Sequence, residues 1–345
     1  MLHYQVKKIP EDFQVSEVLH LQCTPFNEGT TQYYIVKKIG FTTFEMIDII
    51  ANHFKILNNE VGYAGLKDED AITTQYISMP ICISKESLKT FNKSYSRENL
   101  PFINITYYGA GQEPLKVAKL HGNCFKIKVR NLSPQAVQDL VTGEEYFLYF
   151  LNYYGSQRFG LPNQCKNTHL IGKALNEKNY AQAQQEIAAQ NSAAGHLARL
   201  SYNDPAEFIS AMDNKLLAFY QSAYYSHKWN EAITQYLRLE KISFYTKQLD
   251  GVDYCFPNKP DDIINMITQK ELINNTRVIT DGASFIEVPY KRNPVIQTKI
   301  YINDITPDNL NPGHYSISLS FYLTTGSYAT IAIAQFLQQL LKQLP

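Results

Sequence analysis

The chain has 345 residues, 44% apolar and 19% charged, a globular composition that excludes disordered and fibrous classes. Lys and Arg together number 32, as do Asp and Glu, so the formal net charge is zero and any site for a polyanion must be local. The length exceeds a comfortable single core and predicts two domains, or one domain carrying a large insertion.

Cys23, Cys82, Cys124, Cys165 and Cys255 are scattered, odd in number and lack a C-x-x-C pair. They read as reduced, buried thiols, and neither a disulfide framework nor a zinc site is supported. The eight histidines form no H-E-x-x-H or Cys/His cluster. The start, MLHYQVKKIPEDF, has no apolar h-region, and no stretch reaches about 18 apolar residues. The expectation is therefore a cytoplasmic protein, neither secreted nor membrane-spanning.

Residues 41–57, FTTFEMIDIIANHFKIL, place Thr42 and Glu45 in capping-box spacing, with Ile47, Ile50, Phe54 and Leu57 on one helical face. This predicts an amphipathic helix. EVGYA and ITTQYISM then read as strands, so GLKDEDA connects them as a loop. PFINITYY (101–108) and CFKIKVR (124–130) alternate with period two and predict further strands. Lys116, Lys119, Lys126, Lys128 and Arg130 accumulate between Glu113 and Asp139 with no acid among them. That strip is either a polyanion contact or a solvated strand face.

A helix is predicted over about 135–154, ending in YFLYFLNYYG, with SQRFG directly after it. From about 161 to 290 the chain turns to Ala- and Gln-rich helical segments, EKNYAQAQQEIAAQN and KLLAFYQSAYYSHKWNEAITQYL, then a Gly-, Pro- and Asp-rich stretch, QLDGVDYCFPNKPDD. Strand alternation returns in HYSISLSFYL (314–323), and SYATIAIAQFLQQLLKQL closes as a helix. The expected organisation is an α+β domain over 1–160, an inserted mostly helical domain over 161–290, and a return of the first domain over 291–345. No internal repeat of 20 to 50 residues is present.

Asp68 is the first candidate reagent, since Gly65 just before it permits a tight turn that would expose the side chain. A carboxylate can serve as nucleophile or base, and Lys67 could supply positive charge. Spacing alone favours an ordinary turn aspartate, with Glu69 and Asp70 solvated. The loop NYYGSQRFG offers Gln157, Arg158 and Phe159, an amide, a guanidinium and an aromatic ring suited to phosphate and base contact, or else a helix end with a structural Arg158. In TTGSYAT, Tyr328 is placed in the first turn of a helix, facing a ligand or the core. Phe13 in PEDF and Phe125 in KLHGNCF are by default core aromatics, and Asn123 a turn residue.

Together and in this order, PEDF, GYAGLKDEDAITTQ, KLHGNCF, NYYGSQRFG, a long insertion and GSYAT resemble the TruD family of tRNA pseudouridine synthases. The resemblance runs from about residue 7 to 335. The A-G-x-K-D-x-x-A-x-T-x-Q motif falls on Ala64, Gly65, Lys67, Asp68, Ala71, Thr73 and Gln75, which implies that Asp68 is the catalytic aspartate. By the same resemblance Phe13, Asn123 and Tyr328 contact substrate, and Lys7 stands at a frequently basic position. Lys67, Phe125, Gln157 and Arg158 join them as expected substrate-binding residues. The fold implied is a mixed, mainly antiparallel sheet flanked by helices and interrupted by a TRUD-type insert.

The reaction so implied detaches a uracil from its ribose, rotates it and rejoins it through carbon 5, without metal, nucleotide or redox cofactor. Its target would be a uridine of tRNA, at position 13 in the D-arm region, flipped out of its context; other RNA is a further candidate partner, and a monomer is expected. Two rivals stand beside it: an RNA-binding chaperone on the same fold with weak or lost catalysis, and a glycoside hydrolase using Asp68 with Glu69 or Asp70. The sequence departs from the family in three places. Glu69 and Asp70 follow the Lys-Asp pair, Ala334 and Gln335 replace an Arg-Glu pair, and Thr324 and Thr325 replace a frequent proline.

Overall fold

The computed structural model describes residues 3–25, 28–95, 101–117, 120–160, 164–200, 204–266, 275–281 and 284–342. The chain begins with strands β1 (Gln5–Val6), β2 (Phe13–Val18) and β3 (Thr31–Ile39), helix α1 (Thr43–Phe54), strands β4 (Gly62–Tyr63) and β5 (Ile72–Met79) and helix α2 (Lys85–Tyr95). It continues with β6 (Phe102–Gly111), β7 (Gly122–Leu132), α3 (Pro134–Val137) and β8 (Glu145–Leu151). Helices α4 (Thr168–Asn176), α5 (Tyr180–Ala188), α6 (Ala193–Leu200), α7 (Pro205–Ser210) and α8 (Asn214–Leu239) follow. The remainder is β9 (Phe244–Leu249), β10 (Val252–Pro257), α9 (Pro260–Asn265), β11 (Thr276–Asp281), β12 (Ser284–Pro289), β13 (Val295–Pro307), β14 (Tyr315–Thr324) and α10 (Ala329–Lys342).

The main sheet runs β6-β3-β5-β2-β7-β14-β13-β8, with β1 on β7 and β4 on β5. It is mixed: β2 and β5 are parallel, while β2–β7, β3–β5, β3–β6, β7–β14 and β13–β14 are antiparallel. Helices and a mixed sheet make the fold α+β, as the sequence implied. By contact density the chain divides into two compact units, Met1–Phe147 with Thr298–Gly326, and Leu148–Gln297 with Ser327–Gln343.

In the first unit, α1 is capped as its sequence predicts. The Thr42 hydroxyl accepts from the Glu45 N–H at 3.2 Å, and the Glu45 carboxylate accepts from the Thr42 N–H at 2.7 Å. Its apolar face, Met46, Ile47, Ile50 and Ala51, joins Leu88 and Phe91 of α2 against Tyr34, Val36, Ile77, Met79, Ile103 and Ile105 of the sheet. Along β7, Phe125, Ile127 and Val129 are buried while Cys124 and Lys126 are exposed, the period-two pattern of a half-buried strand.

The helix expected over 135–154 is not there. Only Pro134–Val137 is helical, and EYFLYFL forms β8. The intervening Gly143 takes a φ of 81°, and its N–H donates to the Ile302 carbonyl at 2.7 Å, which ends helical continuation and starts a sheet edge. A short apolar run rich in aromatics satisfies strand and buried helix equally by pattern, and here tertiary pairing decides. The cysteines also differ from expectation: all are free, but Cys23, Cys82, Cys124 and Cys165 are exposed and only Cys255 is buried. Cys124 shows the reason, lying on the outward phase of β7.

The second unit builds its own core from Ile171, Ala174, Leu175, Ala183, Ile187, Ala198, Ile209, Leu217 and Tyr220 on α4 to α8. It is not purely helical. The Asp- and Gly-containing stretch is a two-residue hairpin between β9 and β10, with Asp250 at φ 46° and Gly251 at φ 78°, the paired positive angles that such a turn demands. β11 and β12 form another antiparallel pair.

Candidate active site

Asp68 lies on the β4–β5 loop of the first unit, its side chain 39% exposed. The segment from Lys38 to Thr43, where β3 turns into α1, holds that loop at three places. The Lys38 ammonium donates to the carbonyls of Asp68 (2.9 Å) and Lys67 (3.4 Å), and also to Phe41 at 2.7 Å. Gly40 N–H donates to the Glu69 carbonyl at 3.0 Å, and the Thr43 hydroxyl accepts from the Lys67 N–H at 2.9 Å. Thr43 in turn donates to the buried Gln75 amide oxygen at 3.3 Å. A loop so anchored presents its carboxylate in one place.

The cation on that carboxylate is Lys7, whose ammonium donates to Asp68 Oδ2 at 2.8 Å. Lys7 has a positive φ of 60°, uncommon for a residue with a side chain. It follows β1, which is pinned to β7 through Gln5–Arg130 and Val6–Val129. The same ammonium lies 5.5 Å from the Phe13 ring centre. Phe13 meets Phe125 edge-on at 6.1 Å, and Phe125 stacks on Phe321 at 5.2 Å. Lys7, Phe13, Asp68 and Phe125 therefore form one continuous neighbourhood.

Lys67 is not the partner of Asp68. Its ammonium pairs with Glu17 at 2.7 Å, both side chains being nearly or wholly buried. Burial pushes the Glu17 carboxyl up, opposed by Lys67 and by the Tyr76 N–H, which donates to it at 2.9 Å. Gly65 serves this pair. It is absent from the positive-φ glycines, so the tight-turn role expected for it does not hold. A Cβ there would lie 3.1 Å from Lys67 Nζ and 3.2 Å from Glu17 Oε1, so its missing side chain is the room the ion pair occupies. Glu69 and Asp70 are exposed, as solvated turn residues should be.

Asn123 opens β7, opposite Glu17 on β2 and Leu323 on β14. Its side-chain oxygen is buried without a hydrogen-bond partner among the described residues, an acceptor held in reserve. The PEDF turn is fixed by a buried network. Arg130 donates to Asp12 at 2.8 and 2.9 Å and to Asp308 at 2.7 Å, and Asp308 accepts from the Asn131 N–H at 2.9 Å. Arg130 is thus structural. Lys126 and Lys128 lie on the strand phase opposite Phe125, and Lys119 falls outside the described residues. The basic strip read from the sequence is not one surface.

Gln157, Arg158 and Tyr328 belong to the second unit. Tyr328 immediately precedes α10, its carbonyl accepting from Ile331 and Ala332, one step outside the first turn expected for it. Its ring meets Tyr154 edge-on at 6.0 Å, and burial pushes its hydroxyl pKa up against the influence of Arg158 and Arg292. Arg292 lies 3.9 Å from the Tyr154 ring centre and donates to the Asn152 carbonyl at 2.9 Å. Arg158 donates to Ser226 at 3.1 Å and lies over Phe219, and Gln157 is exposed. Gln335 accepts from the Leu151 N–H at 2.9 Å and donates to its carbonyl at 3.1 Å, so its departure from the family pattern has a structural use.

Lys38 and Glu17 are the residues that motif reading missed. Each had a signal. In β3 the adjacent Lys37 and Lys38 must point to opposite faces, so one lysine had to face inward. In FQVSEV, Glu17 shares the phase of Phe13 and Val15.

A family model described as tRNA pseudouridine synthase D (TruD) matches residues 3–196, more than half of the chain. The chain belongs to the TruD family. It is accordingly an enzyme, an isomerase of the pseudouridine synthase type. A curated TruD relative from Methanococcus maripaludis, named a probable tRNA pseudouridine synthase D 1, is 27% identical over 94% of this chain and 96% of its own. The tRNA pseudouridine synthase D of Aquifex aeolicus is 24% identical over 95% and 97%. A solved TruD structure from Methanosarcina mazei superposes with a TM-score of 0.61, covering 98% of this chain and 93% of that one at 18% identity, a likeness of fold. Among the described residues no helix is long and apolar enough to cross a membrane, and no group of three or more His, Cys, Asp or Glu could hold a metal ion.

Proposed function

We propose that this chain isomerises a uridine of tRNA to pseudouridine, with Asp68 initiating cleavage of the glycosidic bond. The target is a uridine of the D-arm region, position 13, as the family resemblance implies. The observation that carries the reading is the Asp68 carboxylate itself. Oδ2 is tied to Lys7 at 2.8 Å, while Oδ1 has no protein partner among the described residues. Lys7 fixes the direction of the group, and the free oxygen is the one left to act on substrate. Such positioned carboxylates serve as nucleophile or as base, and both begin the same reaction.

A uridine must leave its stack to reach this loop. Phe13 and Phe125, buried next to Lys7, back the Asp68 neighbourhood, Asn123 carries a spare acceptor for a uracil N–H, and Tyr328 of the second unit is assigned to the base by the family resemblance. Arg158 and Gln157 are assigned to the RNA backbone. Residues 161–290 are assigned to an inserted domain, a division supported by the separate core on α4 to α8.

The test is a tritium-release or carbodiimide primer-extension assay on tRNA. Wild-type protein is expected to form pseudouridine, and Asp68→Asn to lose on the order of 10³-fold or more in rate while its circular dichroism and melting are unchanged. Near wild-type conversion by folded Asp68→Asn would sink the assignment. Tight tRNA binding by wild type with no product would instead favour a chaperone.

A further inference from the structure

We propose that Lys38 is a positioning residue for Asp68, its ammonium acting as a charged clamp that sets the height and direction of the catalytic loop. The inference rests on Asp68 being the reagent. Lys38 is wholly buried, yet among the described residues no carboxylate pairs with it. Its three N–H groups go to three backbone carbonyls, Phe41 at 2.7 Å, Asp68 at 2.9 Å and Lys67 at 3.4 Å. Two belong to the loop and one to the turn into α1, so a single group joins the two. A buried ammonium is costly unless fully hydrogen-bonded, and a Met or Leu in β3 would fill the same volume without that cost. The charge is retained where it faces the carbonyl of Asp68.

The clamp is sensitive to protonation. A charged amine donates three hydrogen bonds; a neutral amine donates two and turns a lone pair toward a carbonyl oxygen that can only repel it. The groups around it are Lys67, Asp68 and Glu69 of the loop and Glu45 of α1. Burial, opposed chiefly by Asp68, lowers the Lys38 pKa to about 8. Activity should therefore fall as pH rises through about 8.

Stability should move the other way. Between about 8 and the ordinary lysine value of about 10.4 the unfolded chain holds a proton that the folded chain has released, so this group's contribution to stability increases with pH there. A residue that mattered only to the fold could not lower kcat over a range in which it makes the fold no weaker.

The experiment follows kcat and KM for tRNA in the intact protein from pH 6.5 to 9.5, with melting temperature at each point and the side-chain ¹⁵N shift of Lys38 read by NMR. The expected result is a kcat limb that coincides with the Lys38 titration, with KM little changed and no parallel drop in melting temperature. Lys38→Arg, which stays charged, should lose the limb. Lys38→Met should lose about 10- to 100-fold in kcat at every pH and show no limb, the cost of a reagent misplaced by about an ångström. A flat wild-type kcat through pH 9.5, a limb separated from the Lys38 titration by more than roughly one pH unit, or an unaltered limb in either variant overturns the clamp. A wild type that makes no pseudouridine at any pH overturns the proposed function itself, and so the two failures are told apart.

Discussion

Gly155, in the loop before Arg158, has no room for a side chain. A Cβ there would stand 2.6 Å from the Tyr328 ring, far inside van der Waals contact. Gly155→Ala should push that ring aside and, if Tyr328 has the role proposed for it, lower kcat/KM on tRNA about 10- to 100-fold. Its folding penalty should stay near the 1–3 kcal/mol typical of overpacking, so melting curves and kinetics separate the two effects. Single positions differ in how far the sequence reveals them. The loop that carries Asp68 was legible because a motif spans it, whereas the direction of Lys67 was not, because only Glu17, 50 positions away, shows where its charge goes. Gly65 was legible as special and misread as to why, since a glycine in one dimension looks the same whether it frees the backbone or vacates space.

Strand β7 has two faces with separate duties. Phe125, Ile127 and Val129 face the apolar side near Phe13, and Lys126 and Lys128 the other. If RNA is held at Asp68, charge on the far side of this strand is not felt through contact and is screened beyond about 8–10 Å at ordinary ionic strength. The double variant Lys126→Gln with Lys128→Gln should leave tRNA affinity within about twofold and its salt slope unchanged; a slope reduced by one or more would place RNA on that face. Strand and helix identity was legible where amphipathic period and cap agreed, as in α1, and illegible in β8, where a solid run of Tyr, Phe and Leu has no phase to read. β3 passed unnoticed for the related reason that a buried strand loses alternation, whereas β13 alternates from Thr298 to Asn303 and was simply passed over.

Arg130 with Asp12 and Asp308 ties together residues from both ends of the first unit. Burial tends to raise the Asp308 carboxyl, but the Asn311 amide, the Leu310 and Asn131 N–H groups and Arg130 override it and hold it well below the usual carboxylate range. A carboxylate so depressed contributes stability in full above its unfolded value of about 3.9, lost progressively as pH falls toward the folded value. The melting temperature should therefore drop steeply below about pH 4. Asp308→Asn should flatten that slope and be less stable at pH 7 by about 3–5 kcal/mol, the cost of stranding a buried partner. An unchanged acid slope in the variant would remove Asp308 from the account. The opening strands and the return of strand alternation at 314–323 were visible as texture along the chain. Strand order was not, because the alternation of a strand says which residues face inward and nothing about its neighbour.

β14 lies between β7 and β13, yet it is made from residues 315–324, long after β7 ends at Leu132. During synthesis the ribosome must add the whole intervening segment, on the order of ten to thirty seconds at usual elongation rates, before the open edge of β7 finds its neighbour. Until then Phe125 lacks the ring of Phe321 that stacks on it. A nascent or prematurely terminated chain thus carries the aspartate motif without a finished platform beneath it, and an exposed strand edge that invites aggregation or chaperone capture. The order of the strands therefore postpones completion of the sheet around the aspartate motif until residues 315–324 have been made.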